Sequence, residues 1–589
     1  MKIKKLLGFI VLGMMVAIAS VAVADQPLFV AYPPRQHETT ADRIFLIGTA
    51  PSQGQVFVNG KLIENRSPAG HFAPSFPLQV GENTFTLRYE NQEVNLKVTR
   101  KLNQPEVPVG VAFAKGSLLP AVDVVKRAGE LICLSAIAPP NAVVTVQLGG
   151  QTIPLRARSQ AELPDNKAVL VGGNSPTENA IGTYQGCAKA EAAGDLGVPV
   201  FQLTLNGQTV SQQGTGKITI LSPMEFEVAE VTAENGVART GPSSDYSRLT
   251  PLPKGTRAAI AGREGEWLQL DYGAWIKASE VRVIRDAVPP RSLIRSVGAR
   301  QVGDWTEVRF PLQVPVPVAV QQSGRTFTLI LYNTTAQTDI IRLDDDPVIS
   351  RLDWQQVSPD QLQYIFNLKS SQQWGYKLRY DGTTLVLSLK HPPRGSGMSV
   401  PGKPLAGIKI LLDPGHGGPQ DLGGVAPTGD REKTVTLIMS KLVRSELVKQ
   451  GATVVMTREE DVDVDLLPRV KAIEQQEPAI AISIHYNALP DNGDALKTQG
   501  IGAFWYHPQA HSLAVFLQHY LVTKLNRPDY GIYWDNLALT RPAVAPSILL
   551  ELGFLINPVE FEWISNPQEQ RKLAEAIAEG VTEWFVAVR

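Results

Sequence analysis

The sequence predicts a multidomain protein in which all-β modules precede a C-terminal α/β domain with a mostly parallel sheet. Its 589 residues exceed what a single hydrophobic core organises. Up to about residue 390, short alternating segments are broken by Gly and Asn, as in β-sandwiches and small barrels. After a Pro/Gly/Ser-rich stretch, short unbroken apolar runs alternate with helical patterns, which indicates a parallel sheet covered by helices.

The first residues, MKIKKLLGFIVLGMMVAIASVAVADQ, combine lysines, an apolar stretch and the sequence Ala22-Val23-Ala24. This layout predicts a secretory signal peptide over residues 1–24. A retained membrane anchor is the alternative, because an apolar run of about 18 residues is at the lower limit for a span. The Ala-x-Ala ending favours cleavage. We therefore expect an exported chain with no membrane span after cleavage.

Charge and cysteine content exclude several classes of partner and site. The 56 basic and 57 acidic residues nearly cancel, and no long basic run is present, which argues against nucleic-acid binding. Cys133 and Cys187 are the only cysteines, and both fall in one predicted β module. In an exported chain, a disulfide is favoured over two free buried thiols. A thiolate zinc site would need nearby histidines, which that module lacks.

The β region divides into modules by its turn signals. Residues 25–103 contain RIFLIGTA and GQVFVNGKLI and are predicted to form a β-sandwich. Residues 104–222 predict a second sandwich, with VVTVQLGGQTIPL and VFQLTLNGQTV as hairpin candidates. Residues 289–390 form a further all-β region. The Pro/Gly/Ser-rich stretch at 391–405 predicts a linker.

Two parts of the β region carry family resemblances. Residues 224–286 contain an Arg-x-Gly-Pro motif at Arg239, the turn LPKGT, Trp267 and a Gly-x-Trp-Ile motif around Trp275. They resemble a bacterial-type Src homology 3 domain, a class that commonly binds cell-wall peptides. The alternative is a small barrel whose tryptophans are core residues. Residues 289–390, with WTEVRFPLQV and TFTLILYN, resemble the AMIN domains that precede some wall hydrolases.

Residues 406–589 carry the α/β pattern. The segments GIKILL, TVVMT, AIAISIH, GAFWY and SILLE are apolar strands without strict alternation, as expected of strands buried on both faces. Helical periodicity is seen from Val435 to Gln450, from Gln509 to Leu525 and from Glu569 to Val586. Strands alternating with helices predict the mostly parallel sheet.

Ionisable residues collect at one predicted edge of this sheet. His416, His485 and Glu551 each lie at the carboxyl end of a strand, and Glu432 begins the helix after the first strand. Ligand sites of such sheets lie at that edge. Each residue also has a structural alternative: a buried histidine is often a core residue, and a glutamate at a helix start favours the dipole. Two imidazoles and a carboxylate suit Zn²⁺ with an open fourth position, leaving one glutamate to move protons. Glycines around His416 leave room for a substrate.

The motifs LLDPGHGG, GDREK, TREEDVDVDLLPR, SIHYNA and LLELGFLINPVE occur in this order over about 180 residues. They resemble the catalytic domain of the zinc-dependent N-acetylmuramoyl-L-alanine amidases. The resemblance implies one Zn²⁺ held by His416, Glu432 and His485, with Glu551 as catalytic acid/base. It implies hydrolysis of the amide between the lactyl group of N-acetylmuramic acid and L-alanine in peptidoglycan. The segment PQDLGGVAPTG departs from the sequence that usually follows His-Gly-Gly in this family, so Glu432 is the least secure of the three ligands. Tyr486 also departs from the family, in which a small residue is common at this position.

Further candidates surround this set. Asn487 matches the family's asparagine and is a candidate for orienting substrate, with a structural turn role as the alternative. Arg541 is a second candidate substrate-binding residue. His507 and His511 are four residues apart, but His507 precedes Pro508 at a strand end, so we expect neither to bind metal.

The resemblance implies a periplasmic or cell-wall-associated enzyme acting on peptidoglycan. The alternatives are another zinc-dependent wall hydrolase (a peptidase or a deacetylase) and a non-catalytic wall-binding protein. Family members regulated at division carry a helical plug between the second histidine motif and the catalytic glutamate. Here the interval from His485 to Glu551 must already supply a strand, a helix and the entry to SILLE. The two remaining segments, LPDNGDALKTQ and NRPDYGIYWDNLALTRPAVAP, are rich in Pro, Asn, Asp and Gly, so no obligate protein activator is expected. The second segment predicts a mobile loop over the substrate with Tyr533 and Trp534 at its tip. The alternative is that this loop, or a preceding domain, occludes the site.

Overall fold

The computed structural model describes residues 27–102, 108–158, 160–179, 182–189, 191–222, 226–394 and 401–588. The predicted signal peptide at 1–24 and residues 395–400 of the predicted linker lie outside these ranges. The described chain is multidomain, with β modules first and an α/β unit last. Among the described helices, none has the length and apolar character needed to cross a membrane.

Residues 27–102 form a first β module. Its longest strands pair as an antiparallel hairpin in which the buried Phe85, Leu87 and Leu96 alternate with more exposed residues. This is the period-two burial that the alternating sequence predicts. The strands are β1 (Phe29–Tyr32), β2 (Gln36–Thr39), β3 (Arg43–Phe45), β4 (Ile47–Thr49), β5 (Val56–Val58), β6 (Lys61–Leu62), β7 (His71–Phe72), β8 (Ser75–Pro77), β9 (Gly81–Tyr89) and β10 (Gln92–Arg100).

The described residues between 108 and 222 form a second β module. Both predicted hairpins are present, as the antiparallel pairs β13–β14 and β19–β20. A short 3₁₀ helix spans Ala168–Val171. The strands are β11 (Val124–Arg127), β12 (Leu131–Ile137), β13 (Val143–Leu148), β14 (Gln151–Ala157), β15 (Gln160–Glu162), β16 (Thr177–Asn179), β17 (Thr183–Lys189), β18 (Gly194–Gly197), β19 (Val200–Leu205), β20 (Gln208–Gln213) and β21 (Ile218–Leu221).

A disulfide joins Cys133 on β12 to Cys187 on β17, as the sequence predicts. It closes a loop with a sequence separation of 54 residues. Because a cross-link of this length restricts the unfolded chain, replacing both cysteines by serine is expected to cost about 2–4 kcal/mol of unfolding free energy. Thiol titration of the denatured wild-type protein without reductant should detect no free thiol. Two titratable thiols would contradict the disulfide.

Residues 226–286 form a small β module continuous with the preceding one. β25 pairs with β22 and β26 and also with β11, so strands of both modules share a sheet. Trp267 and Trp275 are each 6% exposed, which favours the core alternative for these two tryptophans. The strands are β22 (Glu227–Val231), β23 (Asn235–Gly236), β24 (Leu252–Pro253), β25 (Arg257–Glu264), β26 (Trp267–Leu270), β27 (Trp275–Lys277) and β28 (Val281–Arg285), with a 3₁₀ helix at Ala278–Glu280.

The next β module extends to His391, which is buried, with its Nε2 3.0 Å from Thr306 Oγ1. Its sheets have the strand orders β33-β29-β30-β37-β36 and β31-β32-β35-β34, around an apolar core that includes Phe310 and Tyr364. The strands are β29 (Ser292–Val302), β30 (Trp305–Pro311), β31 (Val318–Ser323), β32 (Thr326–Tyr332), β33 (Thr334–Arg342), β34 (Ile349–Ser358), β35 (Gln361–Leu368), β36 (Tyr376–Asp381) and β37 (Thr384–Lys390).

In residues 401–588, all of which the structure describes, six strands form one sheet in the order β39-β38-β40-β43-β41-β42. Neighbours run parallel except β41 and β43, which are antiparallel. The predicted mostly parallel sheet is therefore mixed, because the connection from β40 to β41 lacks the helix that usually returns a chain for parallel pairing. The strands are β38 (Lys409–Pro414), β39 (Thr453–Met456), β40 (Ile480–Asn487), β41 (Ile501–Trp505), β42 (Asp529–Trp534) and β43 (Ser547–Phe554).

Helices cover this sheet, and the three predicted ones are present with ends shifted by a few residues. The segment predicted as a mobile loop instead contains the edge strand β42, so that prediction is wrong. Its Asp and Gly residues suggested a turn, but at a sheet edge they are compatible with a paired strand. The helices are α1 (Glu432–Lys449), α2 (Leu466–Gln476), α3 (Pro508–Leu525), α4 (Pro558–Ser565) and α5 (Pro567–Ala587), with a 3₁₀ helix at Ala538–Thr540.

The last β module contacts the edge of the sheet at which the parallel strands begin. Lys390 Nζ donates to the carbonyl oxygens of Glu477, Pro478 and Val544, which precede β40 and β43. Burial lowers the pKa of Lys390 to about 8. The carbonyl contacts therefore compensate an ammonium group that has lost most of its water.

The first β module contacts the opposite edge, where the parallel strands end. Phe45 lies in a buried apolar cluster with Phe554 and Ile556, which follow Glu551 in the chain. His37 Nε2 lies 2.9 Å from Oδ2 of Asp491, in the connection after β40. The module is thus packed against the α/β unit at the rim that carries the candidate site.

Phe45→Ala is expected to cost about 3–5 kcal/mol of unfolding free energy, because it leaves a cavity against Phe554 and Ile556. Val80→Ala, at a side chain that is 57% exposed, is the matched control. Denaturant unfolding gives the free energies, and faster hydrogen exchange in β43 reports the α/β side of the contact. Unchanged exchange in β43 with Phe45→Ala would show that the first module does not stabilise the rim.

Candidate metal centre and catalytic rim

His416 lies in a strained turn held by buried arginines. It follows β38 with a φ of +58°, a left-handed conformation that costs free energy for a residue with a Cβ. Arg469 donates to the carbonyl oxygens of Pro414 and His416, at 2.6 and 2.7 Å. Arg458 donates to Gly415 at 2.9 Å. These bonds fix the backbone path from which the imidazole projects.

The charge of Arg469 is balanced inside the domain. Its Nη1 lies 2.9 Å from Asp413 Oδ1, and the side chains are 2% and 1% exposed. Burial opposes ionisation of Asp413, but Arg469, Ser483 and Thr457 hold its pKa below the usual range. A buried pair of this kind is costly to break, since removing either partner leaves an isolated charge.

Glycines clear the space around the imidazoles. A Cβ on Gly415 would lie 2.3 Å from the His485 ring, and one on Gly423 would lie 2.6 Å from the His416 ring. Gly423 also has a φ of +66°. Side chains at these positions would therefore displace the two rings, which explains the glycine-rich sequence on both sides of the turn.

Glu432 lies between the two imidazoles. Its Oε2 is 3.1 Å from His416 Nε2, and its Oε1 is 3.1 Å from His485 Nδ1. Its oxygens also accept from the backbone N–H groups of Gly424 at 2.8 Å and Tyr486 at 3.1 Å. The donor atoms of the three side chains lie within 4.8 Å of one another. The structure thus brings together the three predicted metal-binding residues.

The protonation of this cluster is set by its neighbours. Burial alone would lower the pKa of His416, but hydrogen bonds to Glu432 and Asp421 raise it to about 9. Burial opposes ionisation of Glu432, yet the contacts with His416 and His485 hold the pKa of Glu432 far below its usual value. The cluster therefore contains an ionised carboxylate, and a metal cation would bind in competition with protons.

Glu551 occupies the adjacent strand at the same level. It pairs with His485 in the register of β40 and β43. Its Oε2 is shielded from solvent and has no hydrogen-bond partner among the described residues. Burial, and secondarily the nearby Glu432, raise the pKa of Glu551 well above the usual value. A carboxyl group with a raised pKa suits acid/base chemistry, because it can take up a proton and release it again at moderate pH.

The donor set fits Zn²⁺. Two imidazole nitrogens and a carboxylate are the ligands of many catalytic zinc sites, in which the fourth position stays open. The buried carboxylate of Glu432 would offset the positive charge of the cation. Gly415 and Gly423 leave the space around the two imidazole rings free of side chains. Glu551, with its unpartnered oxygen, lies beside the cluster rather than in it.

Asn487 and Tyr530 border the rim. The hydroxyl of Tyr530 lies near the side chain of Asn487, and the pKa of Tyr530 is raised by burial and, to a lesser extent, by nearby groups that include Tyr533 and Glu551. The Tyr530 hydroxyl also donates to the carbonyl oxygen of Leu170, at 2.8 Å, in the 3₁₀ helix of the second module. Asn487 is thus near the site but engaged in a contact within the protein.

Arg541 does not lie at this rim. Its carbonyl oxygen accepts from His507 Nε2 at 2.7 Å, and its guanidinium donates to Asn536. His507 follows β41, which is antiparallel to β43, so this region meets the beginning of β43 rather than the end with Glu551. The structure therefore does not support substrate binding by Arg541 at this centre.

The remaining candidates at the far edge belong to the core or to aromatic contacts. Burial lowers the pKa of His507 to about 4, and the ring of His511 lies 4.6 Å from that of Trp505. Trp534, at the end of β42, lies beside Tyr506 at a ring distance of 5.2 Å. None of these residues joins the metal cluster found in the described chain.

Sequence reasoning missed Asp413, Asp421, Arg458 and Arg469 as parts of the site. Asp413 and Arg469 are inside motifs that were recognised, LLDPGHGG and TREEDVDVDLLPR. Asp413 directly follows an apolar run, and an ionisable residue in that position could have indicated a buried pair. Asp421 lies five residues after His416, and nothing in its spacing reveals the contact.

Comparisons with known proteins concern this α/β unit. Residues 410–583 match the family model described as N-acetylmuramoyl-L-alanine amidase. The germination-specific N-acetylmuramoyl-L-alanine amidase of Bacillus subtilis is 37% identical over 204 residues, which cover 31% of this chain and 81% of that protein. The probable cell wall amidase LytH of Staphylococcus epidermidis is 33% identical over 189 residues, covering 32% of this chain and 62% of that protein.

Among solved structures, the catalytic domain of CwlV, an N-acetylmuramoyl-L-alanine amidase from Bacillus (Paenibacillus) polymyxa var. colistinus, is also similar. It is 29% identical, covers 31% of this chain and 99% of that chain, and has a TM-score of 0.29.

Proposed function

Since this chain belongs to the N-acetylmuramoyl-L-alanine amidase family and is an enzyme, we propose that it is zinc-dependent and cleaves the bond between the lactyl group of N-acetylmuramic acid and L-alanine of the stem peptide. The observation that carries this proposal is the convergence of His416, Glu432 and His485, with their donor atoms within 4.8 Å, beside Glu551. The centre would hold one Zn²⁺ per chain.

When bound, Zn²⁺ would polarise the amide carbonyl and lower the pKa of water. Glu551 would accept a proton from the attacking water and deliver it to the leaving nitrogen. Water oxygen joins the lactyl carbonyl carbon as the C–N bond breaks, and the products are a lactyl carboxylate and the free amine of L-alanine. The raised pKa of Glu551 suits the delivery step, because the carboxyl group readily holds the proton that it transfers.

The backbone around His416 would keep the reacting groups in place. Arg469 and Arg458 hold the carbonyl groups from Pro414 to His416, and Glu432 is held by two backbone N–H groups. Groups fixed before the substrate arrives do not have to be ordered during the reaction. Asn487, at the border of the rim, is proposed to contact substrate.

The organisation of the rest of the chain is also part of this proposal. Residues 1–24 would direct export, giving a periplasmic or cell-wall-associated enzyme. The β modules at 25–103, 104–222, 224–286 and 289–390 would hold the catalytic domain at peptidoglycan, the 224–286 module as a Src homology 3-like domain. No separate activating protein would be required.

The direct test is digestion of purified peptidoglycan sacculi by the purified chain with Zn²⁺, followed by mass spectrometry of the new termini. The proposal expects free lactyl carboxyl groups on muramic acid and free amino groups on L-alanine. New termini within the stem peptide would identify a peptidase, and released acetate would identify a deacetylase. An absence of any product would indicate a wall-binding role.

A further inference from the structure

We infer that Asp421 is a positioning residue for His416: its carboxylate fixes the ring orientation and the Nδ1–H tautomer in which Nε2 faces the metal. This inference rests on the proposed zinc centre and adds a residue to it. Asp421 Oδ1 lies 2.6 Å from His416 Nδ1. The opposite ring nitrogen, Nε2, faces Glu432 Oε2 at 3.1 Å. The two nitrogens of one imidazole therefore have different partners.

The two ring nitrogens of a neutral imidazole have different roles, one as acceptor or metal ligand and the other as hydrogen-bond donor. When Nε2 binds a cation, Nδ1 carries the hydrogen and is a donor. Asp421 is in place to accept that hydrogen. A carboxylate in this position orients the ring and increases the electron density at the nitrogen that binds the metal. The imidazole ring itself separates Asp421 from the Nε2 side, so Asp421 does not share the point on which the three ligands converge.

The backbone of the turn that carries Asp421 is held without any metal. The N–H of Gly417 donates to the carbonyl oxygen of Asp421 at 2.8 Å, which closes the turn between His416 and Asp421. Gln420 N–H donates to Asp463 Oδ1 at 3.0 Å. Lys433 Nζ donates to the carbonyl oxygen of Gly418 at 2.8 Å. Because the turn is anchored at several points, little conformational entropy is lost when Asp421 holds the ring.

His416 needs such a partner more than a residue in regular structure would. Its neighbours Gly415 and Gly417 have no side chains to pack against the ring. The arginine contacts hold its backbone carbonyl, but they do not determine rotation of the side chain. Among the described contacts of the ring, Asp421 is the one on the side away from the other ligands.

The test is the zinc affinity of the full-length chain, measured after metal removal by competition with a chromophoric chelator. Asp421→Ala is expected to bind Zn²⁺ about 10–100-fold more weakly than the wild type, with Asp421→Asn in between because its amide oxygen still accepts a hydrogen bond. Asp430→Asn is the matched control, since it removes one exposed acidic charge from the same loop, where Asp430 accepts from Thr428. It is expected to bind like the wild type.

A second readout separates positioning from a general loss of structure. With Co²⁺ in place of Zn²⁺, the visible absorption of Asp421→Ala should differ from that of the wild type, because the geometry of one ligand changes, whereas Asp430→Asn should not differ. Equal zinc affinities and equal spectra for Asp421→Ala and Asp430→Asn would overturn the inference. If Asp421→Ala does not fold, a zinc affinity of Asp421→Asn equal to that of the wild type would overturn the inference. A wild type that binds no zinc would refute the proposed function itself.

Discussion

Replacing Glu551 by glutamine is expected to leave zinc binding unchanged and to lower kcat by about 10²–10⁴-fold, the usual contribution of a positioned acid/base. Glutamine has the same shape as the protonated carboxyl group, and Glu551 lies beside the ligand cluster rather than in it. The variant would remove the proposed proton carrier and leave the three proposed metal ligands in place. The measurements are zinc content by elemental analysis and turnover of a soluble muropeptide.

The same variant makes a prediction about stability in the presence of a chelator. Burial and Glu432 raise the pKa of Glu551 in the folded chain. The Glu551 carboxyl group therefore ionises at a lower pH in the unfolded chain than in the folded chain. As the pH rises above the ordinary glutamate pKa, ionisation favours the unfolded state and the wild type loses stability. Glu551→Gln lacks this loss and is expected to be the more stable protein at neutral pH.

Glu562→Gln is the control for turnover, and near wild-type turnover of Glu551→Gln would show that another group moves the proton.

Replacing His416 or His485 by alanine is expected to reduce the zinc content from about one ion per chain to nearly none at micromolar zinc, and to abolish hydrolysis. Each variant removes one of the three proposed protein ligands, and a catalytic zinc site of this kind depends on all three. It also leaves Glu432, which is buried and ionised, without one of its two imidazole partners. The loss should therefore exceed the effect of removing Asp421, which acts through His416.

The matched control for the histidine variants is His519→Ala, because His519 is exposed on α3 and lies outside the metal cluster. Zinc content by elemental analysis and calorimetric titration of the metal-free proteins give the comparison. Full zinc occupancy in either His416→Ala or His485→Ala would contradict the proposed ligand set, whatever the activity. Loss of zinc from His519→Ala as well would indicate that the metal is bound elsewhere.

The candidate site was predictable to the extent that it depends on strand ends. His416, His485 and Glu551 follow apolar runs that form β38, β40 and β43, and these strands run parallel. Their carboxyl ends meet at one edge, so a local pattern sufficed to group the residues. Glu432 was predicted at a helix start and is the first residue of α1.

The partners of these residues could not be predicted in the same way. Arg469 contacts His416 across 53 residues of chain, and the bond exists because α2 packs under the turn after β38. Lys390 and Phe45 lie in the β modules, and both contact the α/β unit although nothing in their local sequence indicates it. Contacts of this kind depend on how elements pack, which residue order along one segment does not encode.

The sequence by itself determined the β-rich modules, the α/β unit and the four residues of the rim, because alternation, apolar runs and strand ends are local properties. The tertiary structure alone decided the antiparallel pairing of β41 with β43, which takes Arg541 to the far edge of the sheet. It also decided the contact of Asp421 with His416 and the packing of the first module at the rim. The physical reason is that strand direction, ring orientation and contacts between modules are set by residues distant in sequence, whose favourable packing no single segment specifies.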